Sequence, residues 1–317
     1  MSNPFVDQRR LVDGNAAVSV TAGLVRVTGI DRFDVLNAVL SQDVRGLAVG
    51  DSRDALELDG QGRIRHSVHV LESPDATMLI VHGATGSEFA AWLDSRIFME
   101  DVQAVDADAE FSVWGGTVAF GELAWTDPWP TISPGGFTYG DATIPEWSWV
   151  ETLLPKGTRP EVDTVASELV DPLRVVAGRP AMSEVDDRSL PHELDWLRTA
   201  VHLSKGCYPG QETVAKIHNV GHPPRRLVRL HLDGSESVFA EAGDSVLLGD
   251  DVIGVVTTAG NHFDDGPVAL AVIKRSVDVD ARLVVLHGDH PLAATQDVIV
   301  PPTAGATAAE RLRPSRS

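Results

Sequence analysis

The sequence has one cysteine in 317 residues, Cys207, and two tyrosines. A single thiol closes no intramolecular disulfide and cannot supply the several thiolates that a resident iron–sulfur cluster or a structural zinc site draws on. Positive charge is also scarce. Lys and Arg total 26 against 46 Asp and Glu, a formal charge of −20. Such a balance keeps a chain soluble and repels polyanions, so direct nucleic-acid binding is not expected outside a local basic patch. Apolar runs stay short of the ~18 residues that a membrane span needs, and the opening MSNPFVDQRR has no apolar signal core. A cytoplasmic protein without a membrane partner is expected.

What is present fits a globular body: 43% hydrophobic and 23% charged residues. The length exceeds one average domain of roughly 100–200 residues, which predicts two or three units in contact. Residues 17–30 alternate as one or two strands around Gly23. In 31–44, Asp31 stands at an N-cap position, and Phe33, Leu36, Val39 and Leu40 recur at helical spacing. Strands are expected on both sides of Gly60–Gly62 and again at 78–83. Thr85 and Glu88 have the spacing of a capping box ahead of an amphipathic helix. The stretch 122–148, rich in Pro, Gly, Trp and Thr, predicts short strands and loops. Asp171-Pro172 and Gly178 bracket a short helix, with Arg174 in its first turn. There the helix dipole does not favour a cation, which calls for another reason.

Pro223-Pro224 break the chain. Beyond them 227–232, 245–248, 252–258, 268–273 and 283–287 are short β-rich runs between turns, the pattern of a small antiparallel barrel or sandwich. The tail from Pro301 is Pro/Ala/Arg-biased and expected to be disordered.

The cysteine lies in SKGCYPGQETVAK, 204–216. A converging Lys205 ammonium would favour its thiolate, giving a nucleophile or a soft-metal ligand; a small buried hydrophobe is the alternative. His192, His202, His218 and His222 flank the loop, so a Cys–His pair is a further alternative, but none falls at a metal-ligand spacing with Cys207 and no metal site is expected. Arg225, Arg226 and Arg229 form a basic cluster able to meet ligand carboxylates, RNA or local acids.

The run Lys205-Gly206-Cys207-Tyr208-Pro209-Gly210-Gln211-Glu212 resembles the signature of the YgfZ family, folate-binding relatives of the glycine-cleavage aminomethyltransferase. The similarity extends to Arg174-x-x-Ala177-Gly178-x-Pro180, Leu190-Pro191-x-Glu193, Ser41-Gln42-Asp43-Val44 and Gly254-x-Val256-Thr257, over about residues 10–300. It implies an α+β, aminomethyltransferase-like body of two interleaved domains over 1–220, a C-terminal antiparallel β-barrel over 221–300, and a tail at 301–317. It also implies tetrahydrofolate or a derivative in a central cavity. Glu193 would meet the pterin edge and Arg174 the folate, with Tyr208, Gln211 and Glu212 shaping the thiol loop. In the transferases an aspartate follows a Gly-Gly turn; aligned on Gly60-Gln61-Gly62, Arg65 and His66 stand there, and no Asp or Glu lies between Gly60 and Val70. The resemblance therefore implies an accessory protein for iron–sulfur cluster assembly or repair, with client or assembly proteins as partners and indirect effects on tRNA modification. Cys207 with Lys205 would be the working pair. The alternative is a folate-dependent one-carbon transferase or demethylase, with His66 as the local substitute for the missing carboxylate.

Overall fold

The computed structural model describes residues 3–141, 147–235 and 237–308. In chain order the body comprises α1 (Pro4–Val12), β1 (Ala16–Val20), β2 (Gly23–Thr28), α2 (Arg32–Val39), β3 (Ser52–Leu58), β4 (Ile64–Glu72), β5 (Thr77–His82) and α3 (Gly86–Asp94). It continues with β6 (Gln103–Asp106), β7 (Phe111–Gly116), β8 (Ala124–Thr126), β9 (Val150–Pro155), β10 (Asp163–Thr164), α4 (Val170–Val176) and α5 (Gln211–Val220). Strands β11 (Arg225–Leu232), β12 (Ser245–Leu248), β13 (Asp251–His262), β14 (Gly266–Lys274), β15 (Leu283–His287) and β16 (His290–Val298) follow.

The body strands form two sheets, β3-β4-β5-β2-β6 and β10-β1-β7-β9-β8. Consecutive β1 and β2 belong to different sheets and β7 returns to the first, so the two layers interleave along the chain. Alternation explains how one sheet serves two sides. From β4, Val68 and Val70 join Leu36, Leu40, Phe89 and Leu93 beneath α2 and α3. Leu71 on the opposite face joins Ile80, Val113, Trp125 and Leu153 between the sheets. The capping box of α3 forms as its spacing predicts, Thr85 Oγ1 accepting from the Glu88 amide and Glu88 from the Thr85 amide.

The last six strands close into the antiparallel barrel β11-β14-β13-β12-β15-β16. The sequence pattern reveals five of these; β16 escapes because its residues mix polar and small types without a β-branched run, and only Leu292 and Ala294 are buried. The barrel docks on the body through α4, which packs against β13 and β14.

Local differences from the sequence reading have physical causes. Asp31 stands at the start of α2 but makes no cap; its carboxylate accepts from the Asp101 amide instead. Helix α4 begins at Val170, entered from a tight turn at Ser167–Leu169, so Arg174 lies in its last turn, where a cation suits the dipole. Gly178 follows at φ 64, the left-handed stop expected of it. The tail departs from expectation as far as it is described. Ala304 is buried, Thr307 Oγ1 donates to the His218 carbonyl, and His222 Nδ1 donates to the Ala304 carbonyl, so 301–308 pack on α5. The rest of the tail, 309–317, and part of the loop region, 142–146, lie outside the described residues.

Candidate functional site

Between the two sheets, and below α4, lies a cavity of about 430 Å³. Its walls come from β1, the cavity face of β4 and β5, strand β9, α4 and the segment Arg179–Ser183. Trp147 and Trp149 form an aromatic wall, their rings stacked with centroids 5.9 Å apart. Ser67 and His69 reach it from β4 because they alternate with the helix-facing Val68 and Val70.

The polar wall is a set of buried charges. Glu151, from β9, places Oε2 2.8 Å from His69 Nδ1 and 3.4 Å from His82 Nε2, and the two imidazole nitrogens are 3.3 Å apart. Burial alone would push the Glu151 carboxyl up, yet the two imidazoles hold it well below its ordinary value. His69 lies flat on Trp125 at 3.6 Å between centroids, which fixes its ring. Arg179 donates to Asp127 and Asp54 and sits over the Trp129 ring.

Arg174 lines this cavity, as the sequence comparison implies for a folate arginine, but its donors are already engaged. Nε donates to Asp171, Nη1 to Glu184 at 2.8 Å, and Nη2 to Ser183 and to Thr258 of β13. Burial opposes its charge; Glu184 and Asp171 outweigh that and keep it protonated above its ordinary range. Arg174 therefore also ties body to barrel.

The other expected residues lie elsewhere. Glu193 is fully buried at the base of β11, gripped by Arg225 at 3.1 and 2.8 Å and by the Leu190 amide, and is not on the cavity wall. His66 points from the other face of β4, with Nδ1 3.1 Å from Glu57 and its ring edge-on to Phe89. This is the period-2 consequence of its position beside Ser67.

The thiol loop is a separate construction. Cys207 is exposed. Lys205 is buried, and its ammonium donates to the carbonyls of Asn37, Leu40 and Gln42 at 2.6–2.9 Å. Burial pushes the amine down to about 7, while three carbonyl acceptors, which only a protonated amine serves at once, pull the other way. The expected Lys–Cys convergence is replaced by a lysine seated at the C-terminal end of α2. Tyr208 is buried beneath Lys205, ring centroid 5.2 Å from Nζ, and burial pushes its phenol up. Gln211 closes the loop onto the Lys205 carbonyl, and Glu212 is exposed on the first turn of α5. Gly210, at φ 77, lets the loop lie against the β3–β4 turn: a Cβ there would stand 2.5 Å from Gly62 Cα.

Arg225, Arg226 and Arg229 make no open basic patch. Arg225 pairs with Asp186 and Glu193, Arg226 is buried against Val277 and Gln296, and Arg229 bonds Asp297 and the Val176 carbonyl.

Sequence reasoning missed His69, His82, Glu151 and Asp54. No Asp or Glu lies between Gly60 and Val70, but Glu151 restores an anion to the cavity from a strand 82 residues beyond His69. The available signal was a lone carboxylate among the mostly apolar residues Val150–Leu154, and a histidine in each of two strands expected from the sequence.

No protein-family profile matches the chain. Among curated proteins it is 24% identical over 309 residues to "Putative transferase At1g60990, chloroplastic" of Arabidopsis thaliana, covering 84% of this chain and 67% of that one. Among solved structures it superposes on the glycine cleavage system aminomethyltransferase T of Bartonella henselae with a TM-score of 0.72 at 17% identity. That match covers 96% of this chain and 90% of the other.

Proposed function

We propose that the central cavity of this chain, which has the aminomethyltransferase fold with the closed barrel at its C-terminal end, holds a reduced folate, tetrahydrofolate or a derivative. On this reading the protein is a folate-binding accessory factor in iron–sulfur cluster assembly or repair. The observation that supports it best is the division of the molecule: a cavity with stacked tryptophans and buried charges, and a single exposed thiol on a loop outside its wall.

A cavity of 430 Å³ falls within the range of about 300–1,000 Å³ typical of small-molecule sites. The Trp147–Trp149 wall suits a pterin face and Glu151 suits its N–H edge. Arg174 contributes positive potential from within its ion pairs. Cys207 is presented to macromolecules, as a transient cluster ligand or redox thiol must be. Client enzymes would account for effects on tRNA modification.

A second reading, a folate-dependent one-carbon transferase or demethylase, is favoured by one feature. Glu151 beside two imidazoles supplies an anion and proton-handling groups where a cationic one-carbon centre would form. Incubation with tetrahydrofolate and amine donors separates the readings: methylene-folate above background supports the transferase, and its absence together with tight folate binding supports the accessory factor.

No helix among the described residues is long and apolar enough to cross a membrane.

A further inference from the structure

His69, His82 and Glu151 converge in a way that folate binding does not require. The atoms His69 Nδ1, His82 Nε2 and Glu151 Oε2 form a triangle with edges of 2.8, 3.3 and 3.4 Å. Three ligands held about 2.1 Å from one ion stand about 3.0 Å apart in octahedral geometry and about 3.4 Å apart in tetrahedral geometry. The triangle is thus already one face of a coordination polyhedron. Its histidines are diagonal neighbours on paired strands, with Ser67 opposite His82 and His69 opposite Ile80, while Glu151 descends from the facing sheet.

A second observation bears on the same point. Asp54 is fully buried; Oδ2 accepts from Thr199 and Arg179, but Oδ1 has no partner. That oxygen faces His69 Nε2 at 4.0 Å. If Nδ1 binds an ion, the ring proton must reside on Nε2, directed at this acceptor. This is the outer carboxylate that ligating histidines ordinarily engage. A shift of about 1 Å would bring the pair into hydrogen-bond range, and Trp125, stacked on the ring face, allows the ring to slide within its plane while opposing its rotation.

We propose that His69, His82 and Glu151 bind one divalent transition ion, zinc or ferrous iron by their two-nitrogen, one-oxygen donor set, and that Asp54 orients His69 for it. All three ligands line the cavity, so the remaining coordination positions open into it and take an exchangeable oxygen or nitrogen ligand. An ion there engages Glu151 Oε2 and withdraws that oxygen from transferase chemistry.

The test is zinc titration of the full chain after chelator treatment, without folate, followed by cobalt substitution and its visible absorption. One ion per chain is expected, with cobalt bands of four- or five-coordinate geometry. His82→Ala should weaken zinc binding at least about a hundredfold and Asp54→Asn about tenfold, whereas His66→Ala, on the other face of β4, should leave it unchanged. Glu151→Gln preserves volume and provides the reading should His82→Ala fail to fold. Lack of stoichiometric uptake by the parent chain overturns the proposal, as does zinc affinity equal to the parent's in both ligand variants. Because folate is absent throughout, either site can fail independently of the other.

Discussion

The cavity and the thiol loop solve opposite problems with the same residue types. In and around the cavity, titratable side chains from seven segments face one another: Glu151 against His69 and His82, Arg179 against Asp54 and Asp127, Arg174 against Glu184. In the loop, Lys205 is buried against backbone carbonyls while Cys207, two residues on, is exposed. One region is preorganised around a void, which on the proposed function a small molecule fills. The other, on the same proposal, presents an atom to a larger partner. The two are joined by β4, whose turn supports Gly210 and whose inner face carries His69.

Breaking the cavity's charge pairing should have the largest effect. Arg179→Met leaves Asp54 and Asp127 buried without their cation and should cost about 3–5 kcal/mol in chemical denaturation. A cost near zero would mean that the buried pairs do not define this region.

The support beneath the thiol loop should respond to acid. His192 is fully buried, donates Nε2–H to the Val214 carbonyl of α5, and has no partner at Nδ1. Burial pushes its imidazole down to about 3. The unfolded chain takes up this proton near the ordinary 6.5, while the folded chain resists until about 3. Stability from this group is therefore complete above pH 6.5 and is lost as pH falls, by up to about 1.4 kcal/mol per pH unit. His192→Gln should flatten that slope relative to the parent between pH 6.5 and 4.5; parallel slopes would contradict the assignment.

Lys205→Met sharpens the comparison. Three carbonyls lose their donor, and a stability loss of about 2 kcal/mol is expected. The rate of Cys207 with a disulfide reagent should change less than about threefold, because the ammonium serves α2. A tenfold slower thiol at unchanged stability would restore the lysine as its activator. The smallest effect is reserved for Cys207→Ser, within about 0.5 kcal/mol of the parent in stability, as for an exposed site, with loss of client-enzyme activity in cells.

Much of this architecture is legible in sequence because it obeys period and cap rules. The Thr85–Glu88 box, the strands flanking Gly60–Gly62 and five barrel strands follow from local spacing. The site is less legible because it is assembled across sheets. Nothing near His69 announces Glu151, and nothing near Cys207 announces that Lys205 turns toward Asn37, Leu40 and Gln42. Arg174 is placed on the cavity, whereas Glu193, expected beside it, is drawn away by Arg225, whose fork satisfies both its oxygens. Motif similarity locates segments; charge pairing decides which side chains they release to a ligand.

The most direct test of the account is an equilibrium titration of tetrahydrofolate into the purified full chain with chelator present. One folate per chain is expected, with an affinity within about twofold of the parent in Cys207→Ser and a loss of at least about tenfold in Glu151→Gln, the weight of a hydrogen bond to a charged group. Absence of saturable binding, or a Cys207→Ser chain that folds and no longer binds, would contradict it.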